Sequence, residues 1–202
     1  MIPDKYKQTL IQKAEAFCTQ LLKSKLPANL VFHNYQHTAA VAKAAYEIGL
    51  HSGLSAEEMQ VLLVAAWFHD TGYRDKYKGH EEISKQIATD FLRTQGAHVS
   101  FREQVAACIE ATRQAQQPET LPEQALCDAD LSHLGKPSFP TSSQKLRKER
   151  ELVSGTTIPD REWHCQNISF LESHTFFTSY AKGSYDAQKN KNILRERELL
   201  PL

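Results

Sequence analysis

Three short stretches of the chain carry side chains able to bind a metal or move a proton. They are His33-Asn34-Tyr35-Gln36-His37, His69-Asp70 and Asp128-Ala129-Asp130. Brought together, His37, His69, Asp70 and Asp130 would offer two imidazole nitrogens and two carboxylates. That mixture suits Mn²⁺, Fe²⁺, Co²⁺ or Ni²⁺, and also admits Zn²⁺ or Mg²⁺. In hydrolysis such an ion lowers the pKa of a bound water and accepts a phosphoryl oxygen as a Lewis acid. His33 and His37 are four residues apart, a spacing that puts both on one face if a helix runs through them. The segment reads HNYQH, without the glutamate of the HExxH pattern, so a helical zinc protease is disfavoured.

His-Asp is a common dipeptide, and its setting is what matters. It follows Val61-Leu62-Leu63-Val64-Ala65-Ala66-Trp67-Phe68, a run apolar on every side, as in a helix buried in a core. Trp67 and Phe68 then read as core residues. Ionisable groups at the end of such a helix lie deep in the fold, where they are costly unless paired or bound to a metal. The alternative is an ordinary helix end, with Asp70 in solvent and His69 complementing the dipole.

Arg74, Lys76, Lys78 and Lys136 fall in loops near these stretches. Any of them could hold phosphate, arginine being the better bidentate partner; the competing reading is a solvated loop charge. Glu81 and Glu82 are ordinary first-turn partners of a helix dipole. His80 is a candidate acid, substrate ligand or second-metal ligand. His133 could support Asp130 from behind or lie on the surface, while His164 and His174 sit among aromatics and read as satisfied core histidines. His51 and His98 read as exposed.

Helices must position these groups. Residues 4–25 carry apolar side chains at helical spacing, ended by Pro27. A second helix runs through the HNYQH segment to Gly49 or Gly53. Ser55-Ala56-Glu57-Glu58 is a capping box opening the core helix, which stops at Gly72, and Thr71 to Gly79 reads as a polar loop. A helix from His80 ends at Gly96. Further helices are expected from Ser100, from the capping box Thr120–Glu123 and from Thr141 to about Val153. The last helical region begins near Asp160, with Gly183-Ser184 interrupting it before a basic tail from Lys189 to Arg197. No alternating strand pattern and no repeat appears. The expected fold is an all-α bundle of about eight or nine helices in one domain spanning residues 1–202.

The chain has 202 residues, with 24 basic and 24 acidic side chains. That balance argues against a protein organised around duplex nucleic acid. No apolar leader follows Met1, and the longest apolar run is too short to span a bilayer. Cys18, Cys108, Cys127 and Cys165 are scattered and lack CxxC spacing. They read as reduced thiols of a cytoplasmic protein and offer no structural zinc site.

The order of the motifs resembles a known family. Phe32-His33-Asn34-Tyr35-Gln36-His37-Thr38, Ala65–Tyr73 around His69-Asp70, Gly79-His80-Glu81 and Asp128-Ala129-Asp130-Leu131 look like the HD superfamily of metal-dependent phosphohydrolases. The resemblance covers about residues 30–135, leaving 136–202 as a C-terminal helical extension. It implies an all-α fold, a metal held between helices by His37, His69, Asp70 and Asp130, and hydrolysis of a phosphate ester, often of a nucleotide. It favours Asp130 over Asp128 as ligand, leaving Asp128 a supporting or helix-packing role. Members with two metals carry additional histidines between the His-Asp pair and the last aspartate. Here Cys108–Thr112 has none, so one divalent metal is expected.

The sequence therefore predicts a cytoplasmic hydrolase that cleaves a phosphate ester of a small molecule, foremost a nucleotide, with a metal-activated water. Asp70 and His80 are the expected catalytic groups, and Arg74 and Lys78 the expected phosphate-binding groups. No membrane or duplex nucleic-acid partner is expected, and a homo-oligomer is compatible with the sequence. Two rivals share the residue pattern: a metal-bound nucleotide sensor or interaction module without turnover, and a helical scaffold whose histidines and aspartates are structural.

Overall fold

The computed structural model describes residues 9–200. Among these residues there are nine α-helices and no strand. In chain order they are α1 (Leu10–Lys25), α2 (Tyr35–His51), α3 (Ala56–Phe68), α4 (His80–Thr94), α5 (Val99–Ala111), α6 (Leu121–Asp130), α7 (Phe139–Ser154), α8 (Asp160–Ser173) and α9 (Ser179–Glu198). Residues 4–8 of the expected first helix lie outside the described residues.

The apolar run of α3 makes it the hub. It packs against α1, α2, α4, α5 and α6, and Leu62, Val64, Ala65, Ala66 and Phe68 are wholly buried. A helix apolar all round can be stable in water only where neighbours cover every side. Its start is fixed by the Ser55–Glu58 box: the Glu58 amide donates to Ser55 Oγ at 3.2 Å, and the Ser55 amide donates to Glu58 Oε2 at 2.9 Å. α2 and α6 lie against α3 and against each other. The ends of these three helices carry the stretches singled out from the sequence.

Several boundaries differ from the sequence reading, each for a local reason. α2 begins at Tyr35, because Asn34 caps it by accepting from the amides of Gln36 and His37. His33 therefore precedes the helix and does not share a helical face with His37. α5 starts at Val99 with His98 as its cap, and α7 starts at Phe139 with Pro140 in its first turn, where proline is tolerated. The 71–79 stretch is not a plain polar loop. Thr71–Arg74 forms a 3-10 turn whose Thr71, Gly72 and Tyr73 are buried.

The C-terminal region departs most. The helix expected from Asp160 breaks at residues 174–178, and Gly183 lies within the continuous α9. A glycine inside a helix costs roughly 1 kcal/mol, and α9 is anchored well enough to absorb it. Buried Asp128 accepts the amides of Phe177 and Thr178 at 2.7 and 2.8 Å and the Thr178 hydroxyl at 2.7 Å. Thr178 Oγ in turn accepts from the Ala181 amide, so a carboxylate and a hydroxyl together hold the N-terminus of α9. The basic stretch is partly buried. Lys189 and Asn192 are buried; Lys189 Nζ donates to the His174 carbonyl, and Asn192 to the Leu134 and Lys136 carbonyls. Gly135 makes this docking feasible, since a Cβ there would lie 2.4 Å from Tyr185 Cβ on α9. No helix among the described residues is long and apolar enough to cross a membrane.

Candidate metal centre

His69 and Asp70 sit where α3 ends in the core. His69 is fully buried and Asp70 nearly so, so Asp70 does not simply meet solvent as at an ordinary helix end. The His69 Nδ1–H donates to the Ala66 carbonyl at 2.8 Å. A carbonyl can only accept, so in the neutral ring Nε2 carries the lone pair. That nitrogen faces two carboxylates, 3.3 Å from Asp70 Oδ2 and 3.5 Å from Asp130 Oδ1. From α2, His37 Nε2 approaches the same oxygens, at 3.0 Å from Asp130 Oδ1 and 3.4 Å from Asp70 Oδ2. One ligand atom from each of His37, His69 and Asp70 lies within 4.8 Å of the other two. The four expected ligands, from the ends of α2, α3 and α6, thus converge on one place.

His37 Nε2 and Asp130 Oδ1 pair with each other, but the rest of the cluster is not satisfied from within. His69 Nε2 and Asp70 Oδ2 are buried and make no hydrogen bond, although charged neighbours stand close. Orphaned buried polar atoms are rare and costly. Two such partnerless atoms, facing a point that His37 and Asp130 also approach, fit a cation, so the donor set suits a divalent metal. Without one, burial opposes charge on His69, but the Asp70 and Asp130 carboxylates outweigh it and hold the imidazole well above its ordinary pKa. Burial likewise opposes ionisation of Asp70 and Asp130, and the neighbouring histidines reverse it, holding both carboxyls below their usual range.

The 3-10 turn after Asp70 places His80. Gly72 packs so closely on the start of α4 that an added Cβ would lie 2.0 Å from the His80 carbonyl oxygen. Its amide donates to Ser84 Oγ at 2.8 Å. His80 Nε2 consequently lies 3.4 Å from Asp70 Oδ1, and its ring stacks on Tyr73 with centroids 3.7 Å apart. Asp70 thus turns one oxygen to the two other histidines and the second to His80.

Arg74 and Lys78 are placed differently. Both are exposed, and Arg74 Nε is paired with Asp75 at 2.8 Å. They stand on the segment beside the site, outside the converging cluster. Lys76 is exposed as well, whereas Lys136 is part-buried, and burial lowers its pKa. His133 supports Asp130 from behind: its Nδ1 lies 3.1 Å from the Asp130 carbonyl oxygen. Burial, then the charge of His37, pushes it down to about 4. His164 is satisfied by Glu196. Contrary to the sequence reading, His174 is not satisfied, since neither ring nitrogen has a partner.

Two contributors were not singled out from the sequence. Tyr73 is sandwiched between His80 and His33, whose ring stacks on it at 4.4 Å. Glu149, on α7, is wholly buried. Its Oε2 accepts the amides of Phe32 and His33 at 2.8 and 2.9 Å, and its Oε1 meets His33 Nδ1. Glu149 lies in a run of charged residues that reads as a solvated face. A signal was present: Phe139, Ser143, Leu146 and Glu149 recur at helical spacing, which places the glutamate on the inward stripe.

The model of the HD domain matches residues 34–135, just over half of the chain. No curated protein shows a significant sequence match. Among solved structures, the chain is similar to a crystal structure described as a predicted HD superfamily hydrolase from an uncultured Thermotogales bacterium. That likeness has a TM-score of 0.62 at 18% identity and covers 92% of this chain and 88% of the other; at that identity it speaks for the fold. The family match takes in His37, His69, Asp70 and Asp130, and the chain belongs to the HD-domain family.

Proposed function

We propose that the protein is a metal-dependent phosphohydrolase that cleaves a phosphate ester of a small molecule, with nucleotides as the substrate class to test first. The observation carrying this reading is the pair of buried, partnerless atoms, His69 Nε2 and Asp70 Oδ2, set among four converging imidazole and carboxylate ligands. The hydrolase description of the Thermotogales protein is consistent with it. His37, His69, Asp70 and Asp130 would hold one divalent ion, which when bound would polarise a phosphoryl oxygen and lower the pKa of a bound water.

The chain's own groups divide the remaining work. Asp70, with one oxygen toward His37 and His69 and the other toward His80, orients the attacking water and couples it to His80. His80, held by stacking on Tyr73, delivers a proton to the leaving oxygen. Arg74 and Lys78 supply positive charge at the rim, and Arg74 must leave Asp75 to grip a phosphate in bidentate fashion. The region around α3 excludes water from the back of the site, which strengthens these electrostatic contacts. The domain assignment, a cytoplasmic location and a small phosphorylated partner in place of a membrane or duplex nucleic acid belong to the same proposal.

The test pairs metal analysis of the purified protein with phosphate release from a nucleotide panel in added Mn²⁺, Mg²⁺, Ni²⁺ or Zn²⁺. Product separation extends it to cyclic diesters. Near-stoichiometric metal and turnover, both lost in His69→Ala, is the expected result. A protein that takes up no metal under any of these conditions would refute the proposal.

A further inference from the structure

The rim of the site carries more positive charge than its own carboxylates offset. On the segment after Asp70, Arg74 is paired with Asp75, while Lys76 and Lys78 are exposed and have no carboxylate partner among the described residues. Lys76 Nζ folds back toward the start of α4, where a Cβ added to Gly79 would lie 3.8 Å from it. Tyr77, between the two lysines, is part-buried. Its hydroxyl donates to Glu149 Oε1 at 3.3 Å, and its ring stands edge-on to His33 with centroids 6.4 Å apart. His33 is in turn edge-on to the candidate ligand His37 at 5.6 Å. A third cation comes from α7. Arg150 is exposed, and its guanidinium carbon lies 5.5 Å from the centre of the Trp163 ring, within reach of a cation–π contact. Trp163 is buried, and its indole N–H donates to Ser143 Oγ at 2.9 Å, so the arginine lies on a fixed surface. Arg150 also stands by the Tyr77 hydroxyl. Burial, then the Glu149 charge, push that hydroxyl up to about 12, and the Arg150 charge pulls it the other way. Arg147 on the same helix is tied to Glu151 and Asp160. Arg150 has no carboxylate partner among the described residues, so its fork of N–H donors is oriented and available.

We infer that Arg150 is a specificity-determining residue whose forked guanidinium takes a second phosphate group of the substrate, with Lys76 and Lys78 adding charge from the Tyr77 segment. On the phosphohydrolase reading, on which this role rests, the preferred substrate carries one phosphoryl group at the metal and another at the rim. Two rings, His33 and Tyr77, link Arg150 to His37, so its guanidinium meets the substrate further out than the metal ligands do. Three unpaired cations on and beside the Tyr77 segment suit the double negative charge of a phosphate better than the single charge of a carboxylate. A guanidinium grips phosphate in bidentate fashion, and a lysine ammonium does not reproduce that fork. Arg150 lies outside residues 34–135, which the family model matches, so this selection belongs to the C-terminal extension.

The experiment uses the full chain loaded with Mn²⁺ and phosphonate probes, whose P–C bonds are not hydrolysed, so binding is read without turnover. Calorimetry compares alkyl monophosphonates with alkane diphosphonates of the same chain length, from propane to octane, in wild type, Arg150→Gln and Arg150→Lys, with manganese content measured for each. In wild type one diphosphonate should bind at least about tenfold tighter than its monophosphonate, as a charged hydrogen-bonded contact supplies. Its length measures the spacing between metal and rim. Arg150→Gln should remove that excess while monophosphonate affinity and manganese content stay near wild type, and Arg150→Lys should retain only part of it. An excess that survives in Arg150→Gln, or a loss shared equally by mono- and diphosphonates, overturns the assignment. Should Arg150→Gln not fold, Arg150→Lys carries the test, since it keeps the charge and the stem over Trp163; a full wild-type excess there is equally decisive. If monophosphonates bind to the wild type and no diphosphonate binds better, the role of Arg150 fails alone. If the metal-loaded protein binds neither, the phosphohydrolase reading fails with it.

Discussion

Of the buried clusters in this molecule that combine histidine with carboxylate, two are completed in opposite ways. In the C-terminal region, His164 Nδ1 lies 2.7 Å from Glu196 Oε2, and Asn167 Nδ2 donates to the same oxygen at 3.0 Å and to Ser143 Oγ at 2.8 Å. Trp163 Nε1 donates to that hydroxyl at 2.9 Å. No fully buried side-chain polar atom of this set is left without a partner, so the cluster closes on itself and ties α7, α8 and α9 together. The cluster at the ends of α2, α3 and α6 likewise joins imidazole to carboxylate, yet it leaves His69 Nε2 and Asp70 Oδ2 unbonded. An unsatisfied buried polar group costs about 1–3 kcal/mol. A fold that closes one cluster fully and leaves the other open separates a cross-link from a socket for something not made of protein.

The strongest way to break that contrast is to truncate one histidine or acid in each. His69→Ala should abolish metal uptake and lower activity by more than the roughly tenfold to hundredfold typical of outer partners. Glu196→Ala should leave metal content and activity near wild type while lowering unfolding free energy by about 3 kcal/mol, as expected when a buried charged partner is removed. Metal analysis and denaturant melts read the two effects separately, and loss of metal in Glu196→Ala would erase the distinction. A finer version lies within α6. Asp130→Asn should empty the centre, whereas Asp128→Asn, which weakens the bonds to Phe177 and Thr178 at the start of α9, should cost about 2 kcal/mol of stability with metal retained.

The open cluster was more legible in the sequence than the closed one. Its residues end strongly patterned helices: the apolar run Val61–Phe68 delivers His69-Asp70, and the capping box at Thr120 starts the helix that delivers Asp130. Short-range rules therefore fix where each ligand emerges. The closed cluster and Glu149 depend on where α7, α8 and α9 dock, and their charged sequences resemble solvated faces until long-range contacts bury one stripe. The break at residues 174–178 was missed for the same reason. It is set by Asp128, about fifty residues away, and by no local proline or glycine. His33 was misplaced because Asn34 is the better cap, which starts α2 one residue past the cap, at Tyr35.

A smaller effect sharpens the boundary of the socket. If His80 handles a proton and does not hold the metal, His80→Gln should lower kcat by roughly tenfold to a hundredfold, toward the low end of general acid contributions, with metal content unchanged. Steady-state kinetics beside metal analysis decide this. Stoichiometric loss of metal in His80→Gln would move His80 into the ligand set and enlarge the open cluster.

The smallest expected effect is a slope of metal uptake with pH at the open cluster. In the metal-free protein burial works against charge on His69, but Asp70 and Asp130 raise its pKa well above 6.5. The folded state then keeps a proton that the unfolded chain releases. This contribution is fully present below about pH 6.5 and fades as pH rises through the folded value. For Asp70 and Asp130, held below 3.8 despite burial, the contribution is present above about pH 3.9 and is lost as pH falls through the folded values. A metal on His69 Nε2 must displace that proton, so uptake releases it and affinity should rise by about tenfold per pH unit between pH 6 and 8 for one proton exchanged. Melting temperatures with and without Mn²⁺ should therefore diverge as pH increases, in wild type and in Glu196→Ala alike. A Mn²⁺-induced shift that stays constant over this range would mean that no proton leaves the cluster when metal enters, and that His69 is not where the metal sits.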